Sequence, residues 1–229
     1  MQLQDIGIKW FNTVFYPQNK TGRAMRYDDG VLSRLRSNTV TLFTPWGPRY
    51  SWKKRGILIT ETDKELEVLN FLRDMIHRWK DNMPQTTFRW LFLGADLYGT
   101  EINNLPTDVV AGYFEEVKCV LQSTIPFAEF RLWSSFNDEA SPYRTVVQND
   151  FETFVDSNLL TRAEHTARML KTGGDPRAYL IERLSEAMFI EETFHPVKIS
   201  CVGRQKDVKV DWQLPVLYFL PEYLHAPWL

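Results

Sequence analysis

Two rhythms of apolar residues alternate along the chain. Short runs rich in β-branched and aromatic residues, Thr39 to Thr44, Thr87 to Leu93 and about Phe127 to Trp133, predict buried strands. Between the first two, Leu66, Leu69, Leu72, Met75, Ile76 and Trp79 recur at helical spacing. Thr62-Asp-Lys-Glu65 opens that helix as a capping box, with Glu65 reaching back, and Pro84 closes the unit. Pro106 and Thr107 start a second helix through Val110, Phe114, Val117 and Leu121. Helical tendency continues over 142–155, 161–170 and, after Gly173-Gly174, 175–192. Late strands follow at 197–202 and 215–220, with 206–212 as a hairpin arm. The order β-α-β-α-β, helices, β-β predicts an α/β fold: a three-layer Rossmann-like sandwich with a mainly parallel central sheet and helices on both faces. We read residues 1–229 as a single catalytic domain, with about 142–172 as a helical insertion.

Composition narrows the function classes. Hydrophobic content of 44% and charged content of 24% fit a globular domain, and no apolar run reaches the length needed to span a bilayer. The first residues lack the pattern of a secretory signal, so a cytoplasmic location is expected. Two cysteines, Cys119 and Cys201, form no metal-type pair. The net charge of −2 hides an asymmetry: residues 20–56 carry nine cations against two aspartates. A basic patch on an acidic body points to one polyanion bound in one place rather than to general DNA coating, although such cations also keep a surface solvated.

The most informative stretch is 39–56. Pro45, Gly47 and Pro48 are expected to stop the first strand after Thr44, and the turn carries Trp46, Arg49, Ser51, Trp52, Lys53, Lys54 and Arg55. Ligands of open parallel sheets bind beyond the carboxyl ends of the strands, which is where these residues fall. Thr44 and Ser51 are therefore candidate nucleophiles, with Ser134 and Ser135 next in line, and Arg49, Lys53, Lys54 and Arg55 are candidate phosphate contacts. A solvated basic loop explains the same residues. Beyond the second strand, Asp96, Tyr98, Thr100, Glu101 and Asn103 crowd together as substrate-binding groups or turn caps. On the 175–192 helix, Tyr179, Glu182, Arg183 and Glu186 share a face away from the apolar stripe, which suits proton relay or plain surface ion pairing. Phosphate-loop, dinucleotide-binding, zinc-protease and serine-hydrolase motifs are absent, and the four histidines are scattered, so no metal or cofactor is expected.

A hydroxyl near the first strand end, a basic N-terminal part and a late helix bearing Tyr179 with Glu182 and Glu186 resemble the tRNA-dependent cyclodipeptide synthases. That family looks like a class I aminoacyl-tRNA synthetase domain without the ATP-binding signature, and no His-x-Gly-His occurs here. The resemblance implies aminoacyl-tRNA as partner, a covalent aminoacyl-enzyme on Ser51 or Thr44, and closure of two aminoacyl groups into a diketopiperazine. Tyr179 and Glu182 then act at the reacting ammonium, while Trp46, Asp96, Tyr98, Glu101 and Glu186 bind substrate. Leu42-Phe43-Thr44 stands where bacterial members have Gly-x-Ser, and Arg183 where they have the glutamate four residues after the tyrosine. The divergent, arginine-using fungal branch is the nearer comparison, and it implies an acidic pocket from Asp96, Glu101 or Glu182. Two other classes fit the same residues: an ATP-using nucleotidyl transferase or ligase with Lys53, Lys54 and Arg55 on the phosphates, and a non-catalytic RNA-binding domain stacking bases on Trp46, Tyr50 and Trp52.

Overall fold

A computed structural model describes residues 29–47, 63–102, 104–170, 174–200 and 214–218. A short helix, α1 (Asp29–Leu35), leads into β1 (Thr39–Trp46). Then come α2 (Asp63–Asn82), β2 (Thr87–Gly94), a π-helical turn (Tyr98–Ile102), α3 (Thr107–Thr124) and β3 (Ala128–Leu132). A 3-10 turn (Trp133–Phe136) passes into α4 (Asn137–Asn149), α5 (Phe151–Phe154), α6 (Ser157–Leu170) and α7 (Pro176–Phe194), before β4 (Val197–Ser200) and β5 (Val216–Tyr218). The sheet order is β3-β2-β1-β4-β5, and every pairing is parallel. This is the expected Rossmann-like α/β architecture. The hairpin arm expected at 206–212 lies outside the described residues, as do Thr62, Cys201 and Val202.

Strand parity divides the core. Val40, Leu42 and Trp46 of β1, with Phe88, Trp90 and Phe92 of β2, pack against Leu69, Leu72, Ile76 and Trp79 of α2 and Val110, Phe114 and Val117 of α3. Each such side chain, fully buried, contributes about 1.5–3 kcal/mol. The alternate residues Phe43, Leu91 and Leu93 face Ala140 of α4 and Ala187, Phe189 and Ile190 of α7. A third cluster joins Val147, Phe151 and Ala163 of the α4–α6 region to Leu180, Leu184 and Met188 on the outer side of α7. The sheet thus has α2 and α3 on one side and α7, itself covered by α4 to α6, on the other.

Two boundaries and one burial differ from the sequence reading. β1 continues through Pro45 to Trp46, pairing Pro45 with Leu93 and Trp46 with Gly94. The carbonyl of Trp46 accepts the Ala95 N–H at 2.8 Å, so alternation puts the N–H that Pro45 lacks on the β4 side. There the described ladder has already ended at Phe43, and no bond is lost. Helix α4 starts at Asn137 and holds Pro142 inside it, rather than beginning at the proline. Leu66, counted in the apolar stripe of α2, is exposed. Glu65 of the expected capping box is fully buried, with the Tyr113 hydroxyl donating to it at 3.4 Å, and its expected partner Thr62 lies outside the described residues.

A candidate site on the inner helix beyond the sheet

Helix α7 is fixed at both ends. Asp175 caps it, its Oδ1 accepting from the N–H groups of Arg177 (2.8 Å) and Ala178 (3.2 Å), and Pro176 occupies the first position. His195 ends it in the left-handed conformation (φ 48°), its N–H bonded to the Glu191 carbonyl. Between these caps, residues Leu184 to Glu191 are all buried. Tyr179, Glu182, Arg183 and Glu186 share a face as expected, but it is not a solvated one: Glu186 is buried and the other three are half-buried, while α4 and α6 cover the Leu180, Leu184 and Met188 side.

Those enclosed groups meet residues that leave the carboxyl ends of β2 and β3. The Tyr98 hydroxyl, in the π-turn after β2, donates to Glu186 Oε2 at 2.9 Å. Glu186 is 2% exposed, and its other oxygen takes Arg183 at 2.6 Å. The Arg183 guanidinium lies 5.8 Å from the Tyr98 ring centre, and Tyr179 packs edge-on against Tyr98 at 5.9 Å. One step along, Trp133 Nε1, after β3, donates to Glu182 Oε2 (2.8 Å), and Arg144 of α4 donates to Glu182 Oε1 (2.7 Å). Arg144 is itself held by the backbone and side-chain oxygens of Asn137 and lies 5.3 Å from the Trp133 ring centre. Asp96 Oδ1 accepts the Ser134 N–H at 3.1 Å. Lys198, the alternate residue between Val197 and Ile199 of the first core, is buried on this same side of the sheet.

Burial raises the Tyr98 pKa well above its ordinary value, and the neighbouring Glu186 adds to the effect while Arg183 opposes it. Tyr98 is therefore a neutral donor at physiological pH, holding one oxygen of Glu186 in place. The arrangement sets a carboxylate at the hydroxyl end of an aromatic ring, beyond the carboxyl edge of a parallel sheet, which suits a cationic group of a ligand.

The structure brings together Tyr98, Tyr179, Glu182 and Glu186, with Asp96 at the margin. It separates Thr44 and Trp46 from them. Both project to the α2/α3 side, where Thr44 is 2% exposed and its Oγ1 accepts Trp90 Nε1 at 2.9 Å. Thr44 thus sits within β1, not beyond its end. Trp46 is equally buried and donates from Nε1 to the Tyr113 hydroxyl at 3.0 Å, in place of the expected substrate-stacking position. Glu101 points to solvent. Ser51, Arg49, Lys53, Lys54 and Arg55 lie outside the described residues. Arg34, counted in the basic patch, is instead forked onto Glu191 and the Pro196 carbonyl. Arg144 and Trp133 were missed by sequence reasoning, because their role depends on how α4 folds back over α7.

Neither protein-family models nor curated proteins match the chain. Among solved structures, a CDPS (cyclodipeptide synthase) from Fluoribacter dumoffii is similar over 85% of this chain and 96% of that one, at 15% identity and a TM-score of 0.49. At that identity and score the likeness does not bear on activity. Among the described residues, no group of His, Cys, Asp or Glu is placed to hold a metal, and no helix is long and apolar enough to cross a membrane.

Proposed function

We propose that the protein is an aminoacyl-tRNA-dependent transferase that joins two aminoacyl groups into a cyclic dipeptide. The observation that carries this reading is the buried Glu186, held by Tyr98 beyond the end of β2 with Tyr179 against the same ring. Together they make a seat for the ammonium of an aminoacyl ester. In this reading the Ser51 hydroxyl attacks the ester carbonyl, the tRNA 3′ oxygen leaves with a proton, and the acyl group stays on Ser51. Ser51 is preferred to Thr44 because the Thr44 hydroxyl is buried and bonded to Trp90. The free amine of the aminoacyl group on Ser51 then attacks the ester carbonyl of a second aminoacyl-tRNA, whose 3′ oxygen leaves with a proton, to give a dipeptidyl-enzyme. Intramolecular attack by the free amine closes the ring and releases Ser51. No ATP is needed, since each bond formed replaces an ester. Tyr179 orients the reacting amines, and Arg49, Lys53, Lys54 and Arg55 contact tRNA phosphates.

The finer expectation of an arginyl side chain held by Asp96, Glu101 or Glu182 finds less support. Glu182 is tied across elements to Trp133 and to Arg144, itself anchored on Asn137, Asp96 Oδ1 takes the Ser134 N–H, and Glu101 faces solvent. The base-stacking adaptor reading loses Trp46 as a platform, because that ring is enclosed. Mass spectrometry of metabolites from cells expressing the protein tests the proposal. A new diketopiperazine is expected, absent from cells expressing Glu186→Gln. ATP–pyrophosphate exchange without such a product supports the nucleotidyl-transfer alternative instead.

A further inference from the structure

The cation seat on α7 already contains a cation. Arg183 reaches Glu186 Oε1 at 2.6 Å and lies beside the face of Tyr98, which is how an incoming ammonium would sit. Its side chain is 15% exposed against 2% for Glu186, so the arginine is the more exposed member of the pair. The pair is also ordered the weaker way for helix stability: the cation precedes the carboxylate by three residues, opposing the helix dipole. Arg144 holds the neighbouring carboxylate. It comes from another helix, ties Glu182 to Trp133 and is anchored on Asn137, which makes it a structural clamp.

We propose that Arg183 is a resident occupant of the Glu186 cation seat, displaced into solvent when a substrate monocation enters. In its substrate assignment this rests on the reading that Glu186 receives an aminoacyl ammonium. The seat itself does not depend on that reading. A buried carboxylate left without a counter-charge is costly, so the empty protein keeps its own cation there. A substrate cation must outcompete a tethered guanidinium, which rejects weakly bound monocations and admits an ammonium only when the rest of the substrate adds binding.

Chemical rescue tests the seat without any tRNA. Arg183→Met keeps the apolar stem and removes the charge; Arg183→Gln serves if the methionine variant does not fold. Ethylammonium chloride at about 100 mM is compared with potassium chloride at the same concentration, reading the melting temperature. In the full-length wild type the two salts are expected to act alike. In Arg183→Met, ethylammonium should raise the melting temperature by about 2 °C or more beyond potassium, as a ligand bound only to the folded state does. The excess should vanish in Arg183→Met/Glu186→Gln. No excess in the single variant overturns the proposal, and so does an excess that persists in the double variant. If rescue occurs but charged tRNA gives no product, the seat stands and the aminoacyl reading fails. Product without rescue has the opposite meaning.

Discussion

On the α2/α3 side of the sheet the buried polar side chains include neutral pairs: Trp90 donates to the Thr44 hydroxyl, and Trp46 to that of Tyr113. Around them pack Phe88, Phe92, Phe114 and Trp79, all buried. On the α7 side the pairs are charged. Arg183 meets Glu186, Arg144 meets Glu182, and Arg34 meets Glu191. A neutral indole–hydroxyl bond satisfies a donor at modest net gain and fixes packing. Enclosed ion pairs are a poor way to gain stability, because desolvation offsets most of their attraction. Glu65 is enclosed on the α2/α3 side too, so the distinction lies in the ion pairs: those at Glu182 and Glu186 meet residues just beyond the carboxyl ends of β2 and β3, and on that ground we read the α7 face as the working one and the other as scaffold.

The largest expected effect strikes the scaffold. Phe92, fully buried between Trp46 and Trp90 (ring centres 5.9 and 5.1 Å away), should cost about 3–5 kcal/mol when changed to alanine, measured by denaturant unfolding. A loss below about 1 kcal/mol would mean that this face is not the tightly packed one. On the working face, Glu186→Gln and Tyr179→Phe should each lower product formation by on the order of 10²-fold or more, with the folded state retained. If either instead unfolds the protein and spares specific activity, the two faces do not differ in kind.

Smaller effects sharpen the division. Thr44→Val strands the Trp90 indole N–H and should cost about 1–3 kcal/mol in unfolding free energy, while aminoacyl labelling of the protein persists. Loss of labelling at unchanged stability would move Thr44 back into the chemistry. Tyr98 gives the smallest effect. Its pKa is raised on folding, so the unfolded chain ionises first, and the stability present below pH of about 10 is lost as pH rises toward the folded-state value. Tyr98→Phe should flatten that alkaline decline in a pH series of melting curves. An identical decline in the variant would show that Tyr98 is not the group responsible.

The sequence made the sheet and its first layer of helices readable because β1, β2, α2 and α3 each carry one clear period. Parity within β1 was also available: Thr44 and Trp46 lie two and four residues after Leu42 and must share its face. Alternation alone therefore separates them from residues reached through Phe43. Tyr98 and Glu186 were nominated for the site separately, and their contact became visible only in the fold. Helix α7 was harder. A helix covered on all sides shows no single stripe, and the sequence carries no sign that α4 and α6 would close over it. For that reason Arg144, five residues beyond the glutamate of a surface-looking run, gave no signal of its tie to Glu182.

The central claim is that the charged face handles an aminoacyl cation. Its most direct test is incubation of the purified protein with tRNA carrying labelled amino acids, without ATP, followed by intact-protein and small-molecule mass spectrometry. The account expects a protein adduct one aminoacyl group heavier than the free chain, chased into a diketopiperazine, with both signals reduced at least about 10²-fold in Glu186→Gln. Charged tRNA that yields neither adduct nor product, or a Glu186→Gln variant that matches wild type in both, would contradict it.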